Sequence, residues 1–288
     1  MIGRCDWPAL RRAGAHDAAA RLPFRLNGTP VGAVARPHLP RLRELGLHVD
    51  AGGVELRGAP DALDARLAHL NHALRGDGLI RGWRDEPFAL PDPASGAQLA
   101  TMERAAARFW GTLTLGAHAN GYVADAAGRP TQLWIAQRAM TKATDPGKHD
   151  NLIGGGVGAG QTPWQALLRE GWEEAGLTAT QLHGAVPGSV LRLLRDIPEG
   201  LQHEWLHVYD LELPPGLQPR NQDGEVAGFD CLPLADALAL AAGEAMTVDA
   251  ALVTLDFALR RGLLPAAQRR QVEAAWRACC VGAAVQPR

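Results

Sequence analysis

The 288-residue sequence lacks an excess of charge of either sign. It contains 29 lysines and arginines against 31 aspartates and glutamates, which gives a formal net charge of -2. Proteins that bind nucleic acid normally present a basic face, and this composition provides no long-range field of that kind. We therefore expect no nucleic-acid partner. Local basic clusters remain compatible with a small anionic substrate.

Cysteine and long apolar runs are also scarce. None of the four cysteines forms a C-x-x-C pair, which argues against a zinc motif and a disulfide framework. Reduced thiols are typical of the cytoplasm, so the predicted location is cytoplasmic. The first residues lack the apolar stretch of a signal peptide, and no run approaches the length that spans a bilayer. A membrane partner is therefore not expected.

The order of predicted helices and strands divides the sequence into two regions. Short helical and strand-like stretches alternate in residues 1–104 and predict a small α+β domain, with a hairpin turning on Asn27-Gly28 and a helix over 61–74. A proline-rich stretch, 87–96, is interpreted as a linker. Residues 105–288 then run through strands, one helix, more strands and final helices, which indicates an α/β sandwich.

The segment 155–177 has the features of a glycine-rich loop followed by a helix. Thr162 can cap this helix, Pro163 suits its first turn, and Gly176 can end it in a left-handed conformation. Bulky apolar and small residues recur at helical spacing and predict one buried face. The residues expected on that face are Trp164, Leu167, Leu168, Gly171, Trp172 and Ala175.

Three glutamates lie on the adjoining flank of the same helix. Glu170, Glu173 and Glu174 occupy positions i, i+3 and i+4, so their carboxylates are expected within one turn, where they repel one another. A solvated acidic face is the ordinary explanation. Here the cluster follows a glycine loop and lies among tryptophans, and a hard cation would turn the repulsion into binding. We predict that the three glutamates hold Mg²⁺ or Mn²⁺, which would activate water for attack on phosphorus.

This segment resembles the signature of the Nudix hydrolases. That signature is Gly, five residues, Glu, seven residues, and then Arg-Glu-apolar-any-Glu-Glu-any-Gly-apolar. The sequence supplies Gly155, then Gln161 where Glu is expected, and then the run 169–177. The resemblance implies an α/β fold, a Nudix α/β/α sandwich with a mixed sheet. It also implies metal-dependent hydrolysis of a diphosphate linkage in a small organic diphosphate, with Arg169 orienting the carboxylates.

Two positions depart from the signature. Gln161 cannot act as a carboxylate, although it can still accept hydrogen bonds from Arg169. Gly171 replaces an apolar side chain and lowers helix propensity by about 1 kcal/mol. The three glutamates are intact, so these departures bear on the rate of the reaction rather than on its chemistry.

A narrower resemblance extends beyond the signature. The runs 134–138, 141–142 and 146–150 are similar to a Nudix subgroup that carries an extra N-terminal domain and is related to thiamine pyrophosphokinase-associated proteins. This resemblance implies hydrolysis of thiamine diphosphate, or of its oxidised oxo and oxy analogues, to the monophosphate. It also suggests a role in substrate recognition for the N-terminal domain.

Five further candidates complete the predicted site. Arg138 and Lys142 flank the strand that leads into the glycine loop, and their side chains suit phosphate oxygens. Lys148 and Gly155 are further substrate-binding candidates. Glu225 lies where a strand begins and is a candidate metal ligand or general base. Ordinary surface charge is the alternative explanation for the charged members.

Two other functions are compatible with parts of the sequence. A Nudix-like module that senses a ligand without turnover is favoured by Gln161 alone. An isomerase resembling isopentenyl diphosphate isomerase would need a cysteine acid near Pro146-Gly147, and residues 146–158 contain none. The expected partner is therefore a small-molecule diphosphate. The sequence leaves the oligomeric state open, with a homodimer as one option.

Overall fold

The computed structural model describes residues 7–283, which contain both helices and strands. The N-terminal residues used above against a signal peptide lie mostly outside this range, as do the outermost residues of both predicted domains. The first ten elements are α1 (Pro8–Ala13), β1 (Arg21–Leu26), β2 (Thr29–Ala35), α2 (Leu39–Glu44), β3 (His48–Asp50), β4 (Gly53–Leu56), α3 (Pro60–Gly76), β5 (Pro87–Pro91), β6 (Gln98–Glu103) and α4 (Arg104–Trp110).

The later elements build a larger unit. They are β7 (Leu113–Ala124), β8 (Pro130–Arg138), β9 (His149–Asp150), β10 (Ile153–Gly156), α5 (Pro163–Ala175), α6 (Ala179–Leu182), β11 (Val186–Ile197), β12 (Gly200–Glu212), β13 (Val226–Pro233), α7 (Leu234–Ala241), α8 (Val248–Arg260), α9 (Ala266–Cys279) and β14 (Cys280–Ala283). Within residues 7–283, none of the helices combines the length and the apolar character needed to cross a bilayer.

The N-terminal region is a small α+β unit, as predicted. Its four-stranded sheet has the order β2-β1-β4-β3. The hairpin between β1 and β2 turns on Asn27 and Gly28, whose φ angles are 48° and 87°. The predicted helix is α3, which contacts β6 and buries its leucine stripe in the core that it shares with the four-stranded sheet. The buried leucines are Leu63, Leu67, Leu70 and Leu74.

The predicted linker over 87–96 is wrong. Strands β5 and β6 pair there as an antiparallel hairpin, with Phe88 opposite Met102 and Leu90 opposite Ala100. These four residues are buried, so the alternation of apolar residues decided the conformation despite the prolines. The prolines of β5 lie at the two ends of the strand, where a missing N–H is tolerated. The boundary between 104 and 105 stays a prediction, and α4 packs in the N-terminal core.

The larger unit is a mixed sheet between two layers of helices. The strand order is β13-β8-β7-β12-β11-β14, with β10 added to β7 and β9 added to β8. Strands β7 and β12 run parallel, and the other pairs in this sheet are antiparallel. One apolar cluster lies under α5 and a second lies under α7, α8 and α9. This arrangement confirms the predicted α/β fold.

Candidate active site

Helix α5 begins and ends as predicted. The Thr162 hydroxyl accepts from the N–H of Gln165, and the Gln165 side chain accepts from the N–H of Thr162, so the helix starts with a capping box. Gly176 ends the helix with φ of 65°, a left-handed conformation that glycine adopts readily. Residues close in sequence therefore determine where this helix lies along the chain.

The face that α5 buries differs from the prediction. Trp172 was expected in the core, but it is 52% exposed, so this prediction is wrong. The helix approaches its neighbours through Gly171, where an added Cβ would lie 2.6 Å from a methyl carbon of Leu182. This close approach turns two glutamates toward the sheet and Trp172 toward solvent. The buried residues are Ala166, Leu167, Glu170, Gly171, Glu174 and Ala175.

The glycine strand β10 makes room for the Glu170 carboxylate. A side chain at Gly155 would overlap that carboxylate, so only glycine fits there without a shift. Arg169 approaches Glu170 at 2.8 Å and Glu173 at 2.9 Å, and its Nη2 donates to the carbonyl of Gly156 at 3.0 Å. Arg169 therefore ties the helix to β10 and orients two carboxylates.

Glu174 lies one turn after Glu170 on the same buried face. Its Oε2 accepts from the N–H of Gly154 at 2.8 Å. Burial, followed by repulsion from Glu170, raises the pKa of Glu174 to about 8. Burial also raises the pKa of Glu170, although Arg169 and Arg104 oppose this effect. A cation bound between these two buried carboxylates would offset their repulsion and favour their ionised forms.

The three predicted metal ligands do not form one cluster. Glu173 is directed to Arg169, and within residues 7–283 no group of three His, Cys, Asp or Glu side chains is arranged to hold a metal. Glu170 and Glu174 nevertheless fit a divalent cation, because Mg²⁺ commonly takes one or two carboxylates and completes its shell with water and substrate phosphates. The assignment of all three glutamates as ligands remains a proposal.

The stability of the metal-free protein should reveal the buried charge of Glu174. Its pKa is raised on folding, so the folded state retains a proton that the unfolded chain releases, and stability falls as pH rises from about 4.5 toward about 8. Glu174→Gln removes this penalty. In EDTA, the variant should unfold at a higher temperature than the wild type at pH 8 and at a similar temperature at pH 5. Equal differences at both pH values would contradict the prediction.

Arg138, Lys142 and Glu225, which were also predicted for the site, already form ion pairs or hydrogen bonds with protein groups. Arg138 donates from Nη1 to Asp150 at 2.8 Å and from Nη2 to the carbonyl of Thr144 at 2.9 Å. Lys142 forms an ion pair with Glu225, and burial, followed by repulsion from Arg138, lowers the pKa of Lys142. The predicted pair of Lys142 and Glu225 therefore comes together, although each was proposed for a different role.

Lys148 lies on the connection between β8 and β9. It forms an ion pair with Asp145 at 3.0 Å, and its side chain is one-third exposed. Lys142 and Lys148 are the only lysines in the sequence. The structure thus gives Lys142, rather than Lys148, the position next to the buried carboxylates.

Gln161 has a partner that the sequence did not suggest. Its Oε1 accepts from the N–H of Gly158 at 3.2 Å and so closes the loop before α5. Gln161 could have accepted from Arg169, but Arg169 is directed to the two glutamates and to the Gly156 carbonyl.

Two arginines from the N-terminal region also reach the site, and no motif predicted them. Arg84 forms an ion pair with Glu225 at 2.7 Å. Arg104, at the start of α4, pairs with Glu86 at 2.9 Å, and its charge also acts on Glu170. Only the contact between the two regions brings these arginines to the carboxylates, so no local pattern could have identified them.

A polar cavity of about 330 Å³ lies beside β10. Residues of that strand form part of its wall, together with Arg104 and Arg108 from the N-terminal region and Gln202 from β12. The same strand contacts both buried glutamates of α5. The cavity and the carboxylate pair therefore share strand β10 as a neighbour, although neither Glu170 nor Glu174 lines the cavity.

Two family models match successive parts of the chain. A Nudix domain matches residues 115–251, and a domain of unknown function, DUF4743, matches residues 6–114. Nudix hydrolase 24, chloroplastic, from Arabidopsis thaliana is 33% identical over 208 residues, which cover 71% of this chain and 56% of that protein. The uncharacterized protein YJR142W of Saccharomyces cerevisiae is 32% identical over 212 residues, which cover 69% of this chain and 60% of that protein.

The chain spans between 54% and 60% of the length of the first three curated relatives that it matches. Two of them are named as chloroplastic Nudix hydrolases. Among solved structures, DR0079 from Deinococcus radiodurans aligns with a TM-score of 0.47 and 25% identity, over 60% of this chain and 99% of that chain.

Proposed function

We propose that this chain, which matches the Nudix domain over residues 115–251 and DUF4743 over residues 6–114, is a metal-dependent hydrolase of a diphosphate linkage in a small organic diphosphate. The buried carboxylates of Glu170 and Glu174 carry the proposal. They lie side by side against the glycine strand, where burial and mutual repulsion favour a bound cation. A divalent cation held there, Mg²⁺ or Mn²⁺, would supply an activated water and neutralise charge on the phosphates.

The remaining residues of the site have roles that follow from their contacts. Arg169 fixes the orientation of Glu170 and Glu173. Gly155 leaves the space that the Glu170 carboxylate fills. Glu225 is a candidate base or further ligand, and it would have to exchange its contacts with Lys142 and Arg84 in order to act.

The cations of the site are proposed to bind the phosphates of the substrate. The charge of Lys142 interacts with those of Glu174 and Arg138, whereas Lys148 pairs with Asp145. A substrate phosphate would compete with Glu225 for Lys142 and with Asp150 for Arg138. Binding of the diphosphate and release of Glu225 would then be linked.

For the substrate we propose thiamine diphosphate or its oxidised analogues, giving the monophosphate. The similarity of the runs 134–138 and 146–150 to the thiamine-related subgroup supports this choice. The N-terminal domain is proposed to take part in recognition, because Arg104 and Arg108 line the cavity next to β10. We also propose a cytoplasmic location and leave a homodimer to be tested by sedimentation; the plant relatives are named as chloroplastic.

Phosphate release from a panel of diphosphates tests the activity. The panel contains thiamine diphosphate, its oxo and oxy analogues, ADP-ribose, NADH and isopentenyl diphosphate, with Mg²⁺ and then with EDTA. Metal-dependent release of monophosphate from the thiamine compounds is the expected result. Preference for another member of the panel would retain the hydrolase and reject the substrate. Metal-independent release would reject the proposed role of the carboxylates.

A ligand-sensing module is the second candidate. It is favoured by Gln161 in the signature and by the absence, among the residues described, of a three-acid metal cluster. The same panel distinguishes the two functions. Saturable binding of a diphosphate without any turnover would establish the sensor and exclude the hydrolase.

Replacing Gln161 with the glutamate of the signature should change the rate of hydrolysis only slightly. The oxygen of Gln161 accepts from Gly158, and a carboxylate can make the same contact, so the loop geometry should survive. We expect Gln161→Glu to change kcat/KM by less than about 10-fold, which is below the usual contribution of a residue that transfers a proton. Steady-state kinetics with the preferred diphosphate measure this. A gain of two orders of magnitude would show that Gln161 itself limits the rate.

A further inference from the structure

A second cavity, of about 370 Å³, lies where the N-terminal region meets the larger sheet. The hairpin of β1 and β2 forms one side of its wall, and the hairpin of β11 and β12 forms another. We propose that this cavity binds a small organic monocarboxylate with an apolar body, and that Arg21 receives the carboxylate. Within residues 7–283 the cavity shares no lining residue with the one beside β10, so the inference is independent of the proposed hydrolase.

Most of the cavity wall is apolar. Leucine, valine, alanine and proline side chains from both regions form it, and the principal ones are Leu22, Pro30, Val31, Ala33, Leu194 and Leu201. Burying hydrocarbon against such a wall is favourable, and each buried methylene raises the affinity of a ligand by about 4-fold. The wall therefore fits the apolar body of a small organic molecule.

Arg21 contributes a permanent charge to this wall, and one of its nitrogens lacks a partner. Nε and Nη2 donate to Oδ1 of Asp196 at 3.0 Å and 2.6 Å, and Nη2 also donates to the carbonyl of Gly200 at 2.8 Å. The side chain is only 9% exposed, and among the described residues its buried Nη1 has no hydrogen-bond partner. A buried donor without an acceptor is destabilising, so an acceptor supplied by a ligand would be favourable.

The partners of Arg21 indicate which edge of the guanidinium group faces the cavity. Arg21 lines this cavity, whereas Asp196 and Gly200 do not, and Asp196 lines the cavity beside β10 instead. Nε and Nη2 are thus directed away from the second cavity, and Nη1 is the nitrogen left for a ligand oxygen. Side-chain rotamers commonly change on binding, and a change of this kind would open the buried Nη1 to the carboxylate.

The charge of the wall favours a single negative charge on the ligand. In the part of the chain that the structure describes, no aspartate or glutamate lines this cavity, and its other ionisable members are His16 and His203. Burial, followed by the positive charge of Arg192, lowers the pKa of His203, so this ring is neutral near pH 7. Asp196 already offsets part of the Arg21 charge. One carboxylate would complete the balance, whereas a phosphate dianion would exceed it.

Three ligands with the same chain and different head groups test the inference. Octanoate, 1-octanol and octylamine are titrated into the full chain by calorimetry, without metal or diphosphate. We expect octanoate to bind about 10-fold or more tightly than octanol, the effect of a charge-assisted hydrogen bond, and octylamine to bind most weakly. Butyrate, which has four methylenes fewer, should bind about 10²-fold more weakly than octanoate.

Substitutions of Arg21 and its partner separate the head group from the chain. Arg21→Gln should remove the preference for octanoate over octanol and retain the binding of octanol. Arg25→Gln, on the same strand but outside the cavity wall, is the matched control and should behave as the wild type. Asp196→Asn leaves the guanidinium group without its counter-charge, so it should bind octanoate at least as tightly as the wild type.

A charge on the other side of the wall gives a test that retains Arg21. Leu194 on β11 is half-buried and lines the cavity. Leu194→Glu places a carboxylate near the bound anion and should weaken octanoate binding by about 10-fold or more relative to Leu194→Gln, which has the same shape without the charge. Circular dichroism and thermal unfolding identify variants that do not fold, and the Leu194 pair decides the question if Arg21→Gln is one of them.

Two results would overturn the inference. The first is equal affinity for the three eight-carbon ligands, or octanoate binding that neither Arg21→Gln nor Leu194→Glu weakens. The second is dissociation of a dimer by octanoate in sedimentation, which would make a second copy of the chain the occupant of the cavity. Because none of these measurements requires turnover, failure of the carboxylate site and failure of the proposed hydrolase are detected separately.

Discussion

Replacing Glu174 with glutamine should lower kcat/KM for the preferred diphosphate by about 10²-fold or more, because the variant lacks a carboxylate that we propose to hold the activating metal. Glu174 lies on the buried face of α5 beside Glu170 and is anchored by the N–H of Gly154. Glutamine has the same shape and can still accept that hydrogen bond. The loss should therefore concern metal binding rather than folding, and raised Mg²⁺ should recover part of the rate.

Two other variants calibrate this result. Glu244→Gln removes an exposed carboxylate that pairs with Arg12, and it should leave the rate unchanged. Glu173→Gln changes the neighbouring signature glutamate, which the structure directs to Arg169. Because Glu173 is half-buried and occupied, we expect its loss to have a smaller effect than that of Glu174. Wild-type rates in Glu174→Gln at limiting Mg²⁺ would remove this residue from the metal site.

Gly155→Ala should reduce both stability and activity. The added methyl group would overlap the Glu170 carboxylate, which is buried and paired with Arg169, so that the carboxylate or the strand would have to shift. Overpacking of this kind typically lowers the free energy of unfolding by about 1–3 kcal/mol. Displacement of the carboxylate should also lower kcat/KM by about 10²-fold, since small misplacements of catalytic groups have effects of this size.

Gly184→Ala is the control for that substitution. Gly184 lies in the turn after α6, and a Cβ added there would meet nothing within 4 Å. It should retain wild-type activity and thermal stability. If Gly155→Ala also behaves as the wild type in thermal unfolding and in steady-state kinetics, the signature glycine is not needed to position Glu170.

The stability and activity of Glu174 variants should move in opposite directions. The carboxylate that would hold the metal is buried next to Glu170, and without a cation this arrangement destabilises the folded protein increasingly as pH rises from about 4.5 toward about 8. The same repulsion favours metal binding. Glu174→Gln should therefore yield a metal-free protein that is more stable and an enzyme that is less active.

Local features of the fold could be predicted because their causes lie within a few residues. The capping box and the terminal glycine of α5 depend on neighbouring hydrogen bonds, and the turn at Asn27-Gly28 depends on its positive φ angles. The leucine stripe of α3 depends only on helical periodicity. Local hydrogen bonds, backbone preferences and side-chain spacing therefore account for these three elements.

The composition of the site depends on contacts between segments that are distant in sequence. Hydrophobicity placed Trp172 in the core, yet the close approach of Gly171 to Leu182 gave the buried positions to Glu170 and Glu174. Packing between elements likewise determines which carboxylates pair with Arg169 and whether Arg84 reaches Glu225. The spacing of the signature can therefore be read from the sequence alone. Which carboxylates are buried, which charges pair and which residues line the cavity depend on how distant segments pack together in the tertiary structure.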